Sequence, residues 1–464
     1  MDDKDMLEIK SEILDMLKVK RLSSLRNLLD TLNPADIAEI MEDFLDEEEI
    51  TMEQLPVLYR ILPKDLAADV FVEMNADMQE KLISSFTDTE TKEVMDDMFL
   101  DDIVDVIEEM PANVVNKIFK NVDANTRKNI NTILNYPEDS AGSIMTIEYV
   151  RLSPDETVAD AFSDIRKSGV DKETIYICYV TKQKKLVGVV TVRELLLADY
   201  EDLISDIMEP NVISVRTVDD KEEVAQMLSK YDFTALPVVD REDRLVGIVT
   251  VDDAIDVLTE EATEDIEMMA GITPSEHPYL RSSVLEIVLQ RVPWLMLLML
   301  SATFTGIILN NYENALSAQM ALTAYIPMIM GTGGNSGTQA STAVIRGISI
   351  GDIEFTDLFE VIWKEIRISV MCGIALAIAA FAKIMLVDHL IMGNNDISAI
   401  VALTVCLAVA GTVFVAKVIG SMLPLLAKKI GLDPAVMAAP LLSTRVDALS
   451  LTIYMKVATL LLGL

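Results

Sequence analysis

The sequence predicts a multidomain membrane protein. It reads as an all-α N-terminal superhelix, an α/β tandem repeat, a connecting helix and an α-helical transmembrane domain of five spans. Three observations carry this: charge is segregated along the chain, a stretch near its middle repeats 59 residues later, and long apolar segments follow residue 283.

Of 464 residues, 51% are apolar, yet the formal charge is −37. From Arg281 onward basic and acidic residues balance at 11 each, so residues 1–280 hold 27 basic and 64 acidic side chains. The chain thus divides into an acidic soluble half and a neutral apolar half. A charge run often only keeps a domain soluble. Here it argues against nucleic acid and anionic lipid as partners and favours hard divalent cations, which take carboxylate oxygens. Cys178, Cys372 and Cys406 form no CxxC, and His277 and His389 are isolated, so neither a disulfide framework nor a transition-metal site is indicated. The opening MDDKDMLEIK lacks the basic and apolar regions of a signal peptide, so the soluble half is expected in the cytosol.

Residues 1–140 are helical and repetitive. Leu32-Asn-Pro-Ala-Asp-Ile-Ala and Leu62-Pro-Lys-Asp-Leu-Ala share a proline-led pattern, echoed by Met110-Pro-Ala-Asn-Val-Val. Proline in a first turn followed by an apolar stripe predicts short stacked helices, serving as a sensor or as a plain scaffold.

Residues 141–258 contain the repeat. Leu186-Val-Gly-Val-Val-Thr-Val-Arg-Glu194 recurs as Leu245-Val-Gly-Ile-Val-Thr-Val-Asp-Asp253, and Ile144-Met145 as Ile207-Met208. Alternating strands, Thr174–Thr181 and Ala235–Asp240, precede the glycines, and Val224–Ser229 is amphipathic. This resembles a pair of CBS domains. The resemblance implies a cleft for adenine nucleotide in which Thr250 and Asp253 meet ribose and phosphate, with Thr191 and Glu194 as the departing first copy. Arg193 would then bind phosphate, and Tyr176 or Phe233 would stack on adenine; a purely structural repeat is the alternative.

Residues 259–283 form a connecting helix and linker, acidic over Glu260–Glu267. Crowded like charges repel, and a divalent ion between them relieves that repulsion.

Residues 284–464 read as five spans, roughly Val284–Leu309, Ala315–Met330, Ile366–Val387, Ile397–Leu426 and Pro434–Leu464. The second is short for a ~30 Å hydrocarbon core unless it runs on into the following glycines. Arg346, Lys364, Arg367, Lys428 and Lys429 fall in loops and flanks on one side, while NNYEN and DHLIMGNND carry no Lys or Arg. That pattern puts the C-terminus outside. Asp447 lies 13 residues past Pro434, about 20 Å into its span at the helical rise, where a carboxylate needs a wet cavity or a cation. Arg445 is a poor alternative partner, since positions i and i+2 do not share a helix face. Lys383 and Lys456 are placed to snorkel, and Lys417 lies deeper. Gly331-Thr-Gly-Gly-Asn-Ser-Gly-Thr-Gln339 follows Pro327; it either turns carbonyls toward a pore or packs helices closely. One deep carboxylate with amide, hydroxyl and carbonyl oxygens suits Mg2+ that keeps its water shell.

Taken together the chain resembles MgtE-type magnesium transporters or channels over its whole length, most specifically in Gly331–Gln339 and in Asp433-Pro-Ala…Pro440…Thr444…Asp447. The resemblance implies a homodimer in the plasma membrane, with an ion path at the subunit interface. Asp447 would hold the hydrated ion, helped by Gly331, Asn335 and Ser443, with Asp433 near the path. It implies regulatory Mg2+ on Asp69 and Asp101 of the first domain and on Glu222, Asp232, Asp253, Asp256 and Glu261, with ATP at the CBS pair. Arg445 departs from the small or apolar residue expected there. The alternatives are a CBS-regulated transporter of another divalent cation or another solute, and a membrane-anchored enzyme. The enzyme is disfavoured because no nucleophile–base pair or phosphate loop is present.

Overall fold

The proline-led repeats start helices. The computed structural model describes residues 3–169, 172–275, 279, 282–394, 397–437 and 439–463, divided into two units, Met1–Val257 and Leu258–Leu464. Among the described residues the first unit begins with ten helices, α1 (Asp3–Lys18) to α10 (Ala124–Ile133). Pro34 occupies the first turn of α3 (Pro34–Asp46), while Pro63 and Pro111 cap α5 (Lys64–Val72) and α9 (Ala112–Asn121). Proline costs nothing there, because those first amides have no intrahelical partner. Each helix turns a stripe inward, as Ile37, Ile40, Met41 and Phe44 do on α3. One shared core runs from Met6 to Ile133, since helices this short cannot bury their faces alone.

The tandem repeat builds two matching sheets. The first holds β1 (Tyr149–Leu152), β2 (Thr174–Lys182) and β3 (Lys185–Thr191), with α11 (Val158–Ser168) and α12 (Val192–Leu197). The second, after the short α13 (Ile204–Ile207), holds β4 (Val215–Arg216), β5 (Ala235–Val239) and β6 (Leu245–Thr250), with α14 (Lys221–Tyr231) and α15 (Val251–Met269). In each the first pairing is parallel and the second antiparallel. Each sheet also receives the segment leading into the other repeat. Thr146 and Ile248 exchange backbone bonds of 2.9 Å, and Val189 and Glu209 exchange bonds of 3.0 and 2.9 Å. This explains the Ile-Met echo. A β-carbon on Gly247 would lie 2.6 Å from the Met145 sulfur and 2.8 Å from the Thr146 carbonyl oxygen, and one on Gly188 would lie 2.6 Å from the Met208 sulfur. The repeated glycine is where the crossing strand must come close.

The second unit is helical: α16 (Val284–Asn311), α17 (Glu313–Ala318), a 3₁₀ segment (Met320–Tyr325), α18 (Ile326–Ser349), α19 (Leu358–Lys383), a π-helix (Ile384–Ile391), α20 (Ala399–Lys429) and α21 (Ala439–Leu462). Among the described residues three stretches, Val284–Asn311, Phe355–Ile391 and Ala399–Lys429, are long and apolar enough to cross a membrane. With 24 residues each, α18 and α21 are about 36 Å long at the helical rise but are more polar.

The structure corrects the second apolar segment. Only its last five residues, 326–330, belong to the long helix, and α18 continues unbroken through Gly331–Gln339. Its carbonyls are therefore spent on helical bonds, and three of its glycines serve close packing. β-Carbons on Gly333, Gly334 or Gly337 would be buried; one on Gly333 would overlap Ser450 of α21 and lie 2.6 Å from the Thr412 methyl of α20. Gly420 of α20 is pressed against the Gly337 carbonyl. In hydrocarbon, where backbone polar groups must bond internally, small residues allow the close helix approach that supplies the packing energy.

Candidate ion pathway and regulatory carboxylates

On α18 the residues Pro327, Gly331, Asn335 and Gln339, spaced four apart, are exposed, while Ile329, Gly333, Ser336, Gly337 and Ala340 are buried. The exposed stripe is thus a polar face, and a β-carbon on Gly331 would meet nothing within 4 Å. Bare amides are costly against lipid. Across the bundle, Val446 packs against Gly333 and Gly337, which sets Asp447 of α21 at the level of the stripe. Asp447 is half-buried and Arg445 exposed, on different faces of the helix. Lys417 is buried on α20. Ser443 lies on α21, but its side chain, like that of Pro440, is outside the described residues, as is His277.

Asp433 precedes α21 and accepts the Ala435 amide at 2.7 Å. Asp265, on the distal part of α15, bonds to Ser349 at the end of α18; burial and the neighbouring Asp433 push its carboxyl up, with Arg346 opposing. Met268 and Met269 pack beside Ile345 and Ala435. At this same end the Lys429 ammonium stands 4.1 Å from the Phe355 ring centroid. The connecting helix therefore touches the end of the glycine-bearing helix, and Asp265 carries that contact. Only its place in an acidic run marked it in the sequence.

In the first unit, α8 (Leu100–Glu109) brings Asp101 and Asp102 into a group with Asp252 and Asp253 at the start of α15, joined by Glu148 and Glu173. The Glu148 carboxylate accepts the Leu100 amide at 2.9 Å, which caps α8 and fixes this meeting. Asp101 is buried, and burial, then Asp253 and Asp102, push its carboxyl well up. Burial followed by Asp253 raises Asp102 to about 7, and burial followed by Asp252 raises Glu173 to about 7. Asp253 rises to about 6, chiefly by burial, although Thr250 donates to it. Among the described residues no three carboxylate, thiol or imidazole groups are drawn to chelating distance. The donors are hard carboxylate oxygens that raise one another's protonation, the donor type that hard divalent cations take.

Of the expected sensing residues the structure brings Asp101 and Asp253 together. The others have other surroundings. Asp69 is exposed on α5, Glu222 accepts from Gln226 at 3.0 Å on α14, and Asp232 ends α14 in the left-handed region at φ 54°. Asp256 is largely exposed, and the partial covering of its carboxyl, then Asp252, raises it; Glu261 lies further along α15. Asp102, Asp252, Glu148 and Glu173 had no sequence signal beyond acidity.

The two Thr-x-x-acid elements are helix caps. Thr191 donates to Glu194 at 2.9 Å in a capping box on α12, and Thr250 donates to Asp253 at the start of α15. Arg193 and Tyr176 are exposed, Tyr176 by 72%, and Phe233 stacks on Tyr231 at 5.5 Å. Asp253 is thus common to the expected nucleotide site and to the carboxylate group.

Family models match along the chain: an MgtE intracellular N domain over residues 32–139, CBS domains over 141–201 and 204–260, and a divalent cation transporter domain, MgtE, over 326–457. A magnesium transporter MgtE of Thermus thermophilus is 35% identical over 95% of both chains. The chain belongs to the MgtE family. A second member, magnesium transporter MgtE of Bacillus subtilis, is 32% identical over 97% of both chains. A solved structure of the cytosolic domain of the Mg2+ channel MgtE in complex with ATP is 34% identical. It covers 53% of this chain and 99% of its own, with a TM-score of 0.50. The family is one of membrane transporters, not enzymes, and its order of N domain, CBS pair and membrane domain is the order found here.

Proposed function

We propose that this chain is a Mg2+ channel or transporter that admits the ion across the plasma membrane and closes as cytosolic Mg2+ rises. The observation that carries the reading is Asp447 at the level of the exposed Gly331, Asn335 and Gln339 stripe. The magnesium transporters that match 95% and 97% of the chain support Mg2+ as the cargo.

In this reading α16, α18, α19, α20 and α21 are the five spans, the basic loops lie in the cytosol and the C-terminus lies outside. Two copies pair so that their polar faces enclose a wet path, Asp447 and Asn335 meeting the hydrated ion and Ser443 and Asp433 standing toward the cytosolic end. The described part of α16 buries none of its residues within one chain, which suits a helix completed by a second copy. The exposed Leu196, Leu197 and Ile255, at matching places in the two CBS repeats, suit pairing in the cytosol.

Asp101, Asp102 and Asp253 repel one another when bare, and a shared cation lets them approach. Asp69, Glu222, Asp232, Asp256 and Glu261 extend the acidic field. The nucleotide cleft would use Thr250, Asp253, Tyr176, Arg193, Glu194 and Phe233, so ATP and Mg2+ would both act through Asp253. Closure needs Mg2+ to bind the closed arrangement more tightly, by about 3 kcal/mol for a hundredfold shift.

The test is Mg2+ uptake into proteoliposomes by wild type and Asp447→Ala, at low cytosolic-side Mg2+. Uptake lost in a folded, dimeric variant supports the pathway. Equal uptake removes Asp447 from it, and wild type that moves no Mg2+ points to another solute.

A further inference from the structure

The membrane bundle contains a polar network apart from the proposed path, with a buried carboxylate and tyrosine and a half-exposed lysine. Lys383 ends α19, and the chain continues as a π-helix over Ile384–Ile391. In an α-helix, positions five apart diverge by about 140°. The wider π turn brings Lys383 and Asp388 onto one face, and such turns recur at functional sites. The Lys383 ammonium donates to both Asp388 oxygens, at 2.9 and 2.7 Å, and stands 5.5 Å from the Tyr325 ring centroid. The Tyr325 hydroxyl donates to the same carboxylate at 3.0 Å, and both residues are buried. A second clamp lies nearby: the buried Tyr454 of α21 donates its hydroxyl to the Leu322 carbonyl at 2.9 Å.

Both clamps hold the same 3₁₀ segment, Met320–Tyr325, which leads directly into α18. Asn335 lies ten residues beyond Tyr325, about 15 Å along the helix, and Asp447 lies seven before Tyr454, about 10 Å. The segment is therefore a common reference point for the two helices that carry the proposed path. We infer that Lys383, Asp388 and Tyr325 are positioning residues. They set the register of α18 against α21, and with it the spacing of Gly331, Asn335 and Asp447 that a hydrated divalent cation meets. This rests on the ion-path reading above.

The test uses full-length protein in proteoliposomes, measuring half-saturating Mg2+, maximal rate, the ratio of Mg2+ to Co2+ uptake, and closure by cytosolic-side Mg2+. Asp388→Asn and Lys383→Met are expected to shift half-saturation at least about fivefold and the ion ratio at least about threefold. Closure should stay within about twofold, Tyr325→Phe should shift in the same direction by less, and Lys383→Arg should restore wild-type values. If Asp388→Asn does not fold, Tyr325→Phe decides, because it removes one hydroxyl and keeps the ring. A fall in maximal rate alone, with half-saturation and ion ratio unchanged, would overturn the inference and leave the network a stabilising device. Failure of wild type itself to move Mg2+ would strike the ion-path reading instead.

Discussion

Replacing Asp102 by asparagine removes one charge from the group where α8 meets the start of α15. In the folded protein Asp102 is raised to about 7, Glu173 to about 7 and Asp253 to about 6. At ~1.4 kcal/mol for each tenfold change in proton affinity these total about 11 kcal/mol. The groups share their repulsions and are partly solvated, so a cost on the order of 4 kcal/mol for charging them is the sounder magnitude. The sign follows from which state holds the protons. The folded unit keeps protons that the unfolded chain has released near pH 4. Its stability is therefore full below that pH, and it falls as pH rises to about 7. For a unit of this size the loss is about 10 °C in melting temperature between pH 5 and pH 8. Calorimetry of the full-length protein in detergent with EDTA should show that fall. Asp102→Asn should reduce it by about a third, and millimolar Mg2+ should raise the transition more at pH 8 than at pH 5. A transition that holds steady or climbs over this range in EDTA, or an unchanged slope in the variant, would refute the reasoning.

The other expectations follow from close contacts. Gly420→Ala would drive a methyl into the Gly337 carbonyl and should cost about 3 kcal/mol, read as earlier thermal aggregation in detergent. Gly247→Val faces both the Met145 sulfur and the Thr146 carbonyl and should cost about 2–3 kcal/mol, seen as a lowered transition of the first unit with Mg2+ uptake at low cytosolic-side Mg2+ retained. Asp265→Asn weakens the bond to Ser349 and should raise the cytosolic-side Mg2+ needed for closure about fivefold, close to 1 kcal/mol. An unchanged closure curve would remove Asp265 from the coupling.

Much of the architecture was legible because it rests on local chemistry. Proline at Pro34, Pro63 and Pro111 announced helix starts, and the repeated Leu-Val-Gly announced paired strands. The glycine run left two readings open, because composition alone does not tell a pore-lining loop from a tightly packed helix. Its neighbours decide, and these are Thr412, Ser450 and Gly420, far away in the chain. The carboxylate group was legible only in part for the same reason. Asp101 and Asp253 stood in motifs, whereas Glu148 and Glu173 become members only when α8 is capped against the tandem repeat.

By itself the sequence determined the separation of an acidic half from an apolar one, the tandem repeat, the order of the domains, and the place of Asp447 in an apolar C-terminal stretch, although α21 starts at Ala439 and sets Asp447 only eight residues, about 12 Å, into its helix. Hydropathy period, proline and glycine chemistry and the expense of charge in hydrocarbon act over a few residues, so a linear reading captures them. Only the tertiary structure decided that α18 runs unbroken through its glycines, that Asp265 holds Ser349, and that a π turn brings Lys383 and Asp388 together beside Tyr325. Those outcomes depend on contacts between segments tens to more than a hundred residues apart, or on a helical period that shifts under such contacts, and no local pattern encodes either.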